Sequence, residues 1–166
     1  MQKSKIDLTS LMPTKSTFKL TQFGDFEFAL KPCTGGLLVS LSTDVGDIEK
    51  LLSMPSAENV SKIAMGLMEY ESAVKFKAQE VKIINPLTGE DTVKKMGGYE
   101  LLMNSIQGIN EQYNIYGAIL QSMGYGKKES DDMVKKLKDG INKVINNHAE
   151  KEVKKKTTRK KKTKKR

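Results

Sequence analysis

Few residues in this chain are of a type and spacing that does covalent chemistry. There is one cysteine, Cys33, and one histidine, His148. A thiol and an imidazole can act as nucleophile and base, but nothing in the sequence context brings these two together. Asp44 and Asp47 flank Gly46, yet two acids do not make a calcium loop, and neither HExxH nor CxxC occurs. Gly35-Gly36 lacks the GxxxxGK[ST] phosphate loop and Gly97-Gly98 lacks GxGxxG, so both pairs read as turns before helices. These observations imply no catalytic residue, no cofactor and no metal site. A definite binding chemistry belongs to the run VKKKTTRKKKTKKR, Val153 to Arg166. It carries Lys154, Lys155, Lys156, Arg159, Lys160, Lys161, Lys162, Lys164, Lys165 and Arg166 with no acid. Ten such charges would hold a polyanion by counterion release, with strong salt dependence. Without an aromatic to stack on bases, they would do so with little sequence preference. The competing reading is a solvated, disordered tail that favours solubility. Lys135, Lys136, Lys138 and Lys143 would extend the cationic patch.

That run distorts the bulk composition. The chain of 166 residues has 29 Lys+Arg and 20 Asp+Glu, a net charge of +9. Without the ten terminal bases, 19 bases stand against 20 acids. The body is therefore near-neutral with a cationic appendix. Its length allows one domain with a real core, without a disulfide or metal staple. A lone cysteine fits a reducing compartment. No run of about 18 apolar residues occurs, so no membrane span is expected, and the first residues lack the apolar stretch of a secretory signal. The expected organisation is a flexible leader over 1–16, a single α+β domain, mostly helical, over 17–150, and a disordered Lys/Arg-rich tail over 151–166, all in the cytoplasm.

The elements follow from periodicity. TFKLTQF and DFEFALKP alternate around Gly24-Asp25, which predicts a β-hairpin with Phe18, Leu20 and Gln22, then Phe26, Phe28 and Leu30, on its buried face, ended by Pro32. Leu37–Leu41 is a short apolar run that period alone leaves ambiguous. Asp47–Met54 reads as a helix. Ser56 is an N-cap for a second helix through Val60, Ile63, Ala64, Leu67, Met68 and Glu71, running on towards Phe76. EVKIIN, Glu80–Asn85, reads as a strand, NPLTGED as a turn, and Thr92–Lys95 as the returning strand. Tyr99–Ile106 and Asn110–Met123 read as helices, the latter closed by Gly124. Ser130 is read as the N-cap of a last helix striped by Met133, Val134, Leu137, Ile141, Val144, Ile145 and His148. Gly140 weakens that helix by roughly 1 kcal/mol, so it needs a packing partner. The fold class expected is α+β: an N-terminal hairpin, a second short β pair and four or five helices.

The order of segments resembles the tail assembly chaperones of long-tailed bacteriophages. The similarity runs from ALKPCT, Ala29–Thr34, through DIEKLL, Asp47–Leu52, and ENVSKIAMGLM, Glu58–Met68. It continues to EVKIINPLTGEDTVKKMGGYELLMNSIQGINEQYNIYGAILQSMGYG, Glu80–Gly126, and covers roughly residues 17–132. The leader, the last helix and the lysine-rich end depart from that pattern. The resemblance implies a non-enzymatic role in virion morphogenesis. Such a protein binds the tape measure protein, keeps its long hydrophobic helix soluble and helps recruit the tail tube protein. It works in the cytoplasm of the infected host and is absent from the finished virion. The nine methionines would suit an adaptable binding surface or serve as ordinary core fillers. A small nucleic-acid-associated protein using its basic tail, a structural virion component, and assembly into a homo-oligomer are the further readings.

Overall fold

The computed structural model describes residues 15–143. His148 and all ten C-terminal bases lie outside the described residues. The class is α+β, with two antiparallel β pairs and seven α-helices among the described residues. Contacts group residues up to Ser130 into one compact unit and those from Asp131 into another.

Strands β1 (Ser16–Lys19) and β2 (Glu27–Leu30) pair antiparallel with Phe18 opposite Phe28. The alternation holds for Phe18, Leu20, Phe28 and Leu30, which are all buried, whereas Phe26, in the link before β2, is half-buried. Phe28 is the hub of a cluster that takes in every phenylalanine of the chain. Phe18 stacks on it at 5.3 Å, and Phe23 and Phe26 meet it edge-on at 5.1 and 4.8 Å. Phe76 lies tilted at 5.2 Å.

The link between the strands is longer than the Gly24-Asp25 turn expected. Thr21–Phe23 forms a 3-10 turn, Gly24 takes φ 59°, and the Phe26 N–H donates to the Phe23 carbonyl at 3.2 Å. Gln22 is therefore exposed, and Phe23 turns inward in its place. The cause is a long-range anchor. The Glu111 carboxylate accepts the Thr21 N–H at 2.7 Å and the Gln107 N–H at 2.5 Å.

Helix α1 (Gly35–Val45) absorbs the ambiguous Leu37–Leu41 run; Thr34 caps it, its Oγ1 accepting the Leu37 N–H at 3.3 Å. Helix α2 (Ile48–Ser53) is capped by Asp47, and α3 (Ala57–Leu67) by Ser56, whose Oγ accepts the Asn59 N–H at 3.1 Å. Val60, Ile63, Ala64 and Leu67 form the buried stripe of α3. Gly66 lets α1 lie close, because a β-carbon there would stand 2.1 Å from Leu41 Cδ1.

The expected continuation of α3 to Phe76 does not occur. The free edge of β2 captures the backbone instead. The Lys31 N–H donates to the Leu67 carbonyl at 2.7 Å, and the Glu69 N–H to the Ala29 carbonyl at 2.9 Å. Met68 and Glu69 are thereby drawn into extended conformation. The chain resumes as a single turn, α4 (Tyr70–Ala73), and a 3-10 turn at Val74–Phe76, with Glu71 exposed.

Strands β3 (Gln79–Ile84) and β4 (Asp91–Met96) form the second pair, a six-residue ribbon. At its base Gly97 presses on Ala78, where a β-carbon would meet the Ala78 Cα at 2.9 Å. Helix α5 (Tyr99–Ser105) follows Gly98, and α6 (Ile109–Ser122) runs through the core. Tyr113, Ile115, Tyr116, Ile119 and Leu120 of α6 are buried, and Ser16 Oγ donates to the Ala118 carbonyl at 2.7 Å. Gly124 closes α6 at φ 96°, with the Tyr125 N–H returning to the Leu120 carbonyl at 3.1 Å.

The last helix, α7, covers residues 127–143. It begins before Ser130, so Ser130 is not its cap. Glu129 accepts the Gly126 N–H at 3.1 Å, and the Ser130 hydroxyl donates back to the Gly126 carbonyl at 3.0 Å. The helices beyond the five expected are α1 and the single turn α4.

Candidate functional site

Two open grooves flank α1. Its position is fixed at the N-terminal end, where the Cys33 N–H donates to the Ser122 carbonyl at 2.8 Å and Ser122 Oγ to the Lys31 carbonyl at 2.9 Å. The end of α6 thus holds the segment leading into α1. Asp47 then caps α2 and turns it back beside α1, its Oδ1 accepting the Lys50 N–H at 3.1 Å. Between these elements lies an open groove of about 400 Å³, with Cys33, Leu38, Ile48, Leu52, Met123 and Tyr125 along it. Asp47 and Glu49 supply carboxylates to the same groove. A second groove of about 370 Å³ follows the other side of α1, between Leu41, Asp44 and Val45 and the α3 residues Lys62 and Met65, with Tyr99 at its side.

Helix α1 is unusual for its own composition. It is rich in Leu and Val, yet only Leu41 is buried. Val39 is 69% and Leu38 40% exposed. An apolar helix ordinarily turns its apolar side chains inward. Here Leu38 lines the first groove, Leu41 and Val45 line the second, and Val39 is exposed on the surface.

Burial pushes the Cys33 thiol above its ordinary pKa, which keeps it protonated at neutral pH and makes it a poor nucleophile. His148 lies outside the described residues. Among the described residues no three His, Cys, Asp or Glu side chains come together as metal ligands. Asp44 and Asp47 belong to opposite grooves. Gly97-Gly98 is a turn before α5, as read from the sequence, whereas Gly35-Gly36 forms the first turn of α1 itself.

The methionines divide. Met68 and Met96 are core fillers, whereas Met65 and Met123 line the grooves and Met54 is 56% exposed. Of the cationic residues singled out, Lys135, Lys136 and Lys143 are exposed on α7, and Lys138 is on the same helix. Lys154, Lys155, Lys156, Arg159, Lys160, Lys161, Lys162, Lys164, Lys165 and Arg166 lie outside the described residues. No helix among the described residues is long and apolar enough to cross a membrane.

The α1 grooves themselves were missed in the sequence. Their signal was a threonine cap followed by a helix with too many apolar residues for one buried stripe. No protein-family model, curated protein or solved structure matches the chain.

Proposed function

We propose that this protein is a non-enzymatic holding chaperone that takes an amphipathic helix of a partner along α1. The observation that carries the reading is the surface exposure of Leu38 and Val39 on a helix flanked by two open grooves, one of them lined by Leu38. Asp44, Asp47 and Glu49 beside the apolar strip favour a helix whose flanks are basic. Together with the segment order that resembles the phage tail assembly chaperones, this makes the tape measure protein the partner, with the tail tube protein as a second one. The work would take place in the cytoplasm of the infected host, before the virion is complete.

Co-expression with a tape measure protein from the same genome tests the reading. Its soluble yield should rise several-fold with the wild-type chain and return to baseline with Leu38→Asp or Val39→Asp. Both sites are exposed, so thermal stability should change little. An unchanged yield with the wild-type chain would overturn the proposal. The ten terminal bases favour a second reading, non-specific nucleic-acid retention. Deleting residues 153–166 should then remove a salt-sensitive DNA shift while leaving partner solubilisation intact.

A further inference from the structure

The β3–β4 ribbon adds little buried surface to the domain. Every residue of β3 is exposed except half-buried Val81, and in β4 only Met96 is buried. Ile83, Ile84 and Val93 stand 40%, 62% and 65% exposed, and Leu87 at the tip reaches 94%. An isolated two-stranded hairpin is marginal in water, yet this one is fully formed and its tip is tightly organised. Asn85 Oδ1 accepts the Leu87 N–H at 2.9 Å, the Gly89 N–H donates to the Asn85 carbonyl at 2.8 Å, and Gly89 takes φ 71°. Both outer edges of the ribbon are without a strand neighbour among the described residues.

The register says which groups those edges present. The Asn85 N–H donates to the Glu90 carbonyl at 2.9 Å, so Asn85 and Glu90 are a hydrogen-bonded pair. Alternation then turns the backbone N–H and C=O of Asp91, Val93 and Lys95 outward from β4. We propose that β4 pairs with β4 of a second copy of this chain about a two-fold axis at Val93, making a four-stranded antiparallel sheet. Two symmetric registers give this strand its greatest overlap. One centred on Lys94 would set two ammonium groups opposite each other. The one centred on Val93 sets Asp91 opposite Lys95 of the second copy, twice, with the two Val93 side chains together. The charges are thus self-complementary in one register and repulsive in its neighbour. Across each ribbon Glu80 lies opposite Lys95 and Lys82 pairs with Asp91, so each member of the new Asp91–Lys95 pairs also has an opposite charge beside it in its own ribbon. The outer edge of β3 has a similar charge pattern about Val81, but Val81 is already half-buried and leaves less apolar surface to cover. One added strand pair makes a small interface, so the dimer should dissociate in the micromolar range.

Sedimentation of the full chain over a concentration series reads this directly. A monomer–dimer equilibrium is expected. Asp91→Lys and Lys95→Asp should each raise the dissociation constant at least tenfold, and the double variant carrying both should recover most of the dimer. Circular dichroism confirms that each variant is folded. In a Cys33→Ser background, Val93→Cys should be captured as a dimer by a short bis-maleimide, and Val81→Cys should not. A folded wild-type chain that stays monomeric at high concentration, single variants that dimerise normally, or capture through Val81→Cys instead would each overturn the proposal. Solubilisation of a partner helix by a chain shown to be monomeric would sink the dimer and leave the holding function standing.

Discussion

The two β-hairpins are built from similar material and live in opposite surroundings. In β1–β2 Phe18, Leu20, Phe28 and Leu30 are buried, and an edge of β2 is bonded again by the segment after α3. In β3–β4 Ile83, Ile84 and Val93 remain in water, only Met96 is buried, and the edges stay open among the described residues. The difference lies in phase. Phe18 and Leu20, and Phe28 and Leu30, are spaced by two and so share a face. Ile83 and Ile84 are adjacent and point to opposite faces, so no single surface can cover both. One hairpin is therefore a structural element, and the other is an appendage whose stability and surface are available to a partner.

Substitutions should separate these roles by size. The largest effect is expected from Phe28→Ala, which empties the centre of the five-ring cluster. It should cost about 4 kcal/mol in urea unfolding, enough to threaten the fold. A cost under about 1 kcal/mol would mean the first hairpin is as peripheral as the second.

Glu111→Ala comes next, at about 3 kcal/mol, because it removes two charge-assisted hydrogen bonds that hold the β1–β2 link and the start of α6. Burial raises the Glu111 pKa, but the hydrogen bonds from Thr21 and Gln107 lower it further, and the net direction is down. Its contribution is therefore fully present above the unfolded-state value, about 4.3, and is lost as pH falls through the lower folded-state value. Stability measured across that acid range should fall less steeply in Glu111→Gln than in the wild-type chain.

Gly66→Ala should cost about 1–2 kcal/mol, since Leu41 is buried and must yield to the new methyl group. Its signature is faster amide exchange in α1 than in the first hairpin. The smallest effect belongs to Leu87→Ser, within about 0.5 kcal/mol. A larger loss would show that the ribbon tip packs on something.

Much of this fold was legible in the sequence, and the parts that were not share a cause. Period-2 alternation located β1 and β2, and i, i+3, i+4 spacing with Ser56 located α3. Both signals report residues that point into one core. The stop at Met68 was hidden because its cause is the edge of β2, distant in sequence. Ser130 looked like a cap because serine before two aspartates has cap chemistry, yet Glu129 reaching back to Gly126 starts the helix earlier. The α1 grooves were hidden for a different reason. Composition shows that Leu38 and Val39 are apolar, but it cannot show that the surrounding elements leave them uncovered.

The contact between Gly97 and Ala78 gives the second hairpin a mechanical character. Strands of six residues rising about 3.4 Å each place the tip roughly 20 Å from this base. The ribbon is then a lever with its fulcrum at one glycine. A tilt of about 10° at the base carries Leu87 through about 3.5 Å over that length. The missing side chain at position 97 thus sets where, in space, the most exposed leucine among the described residues is aimed.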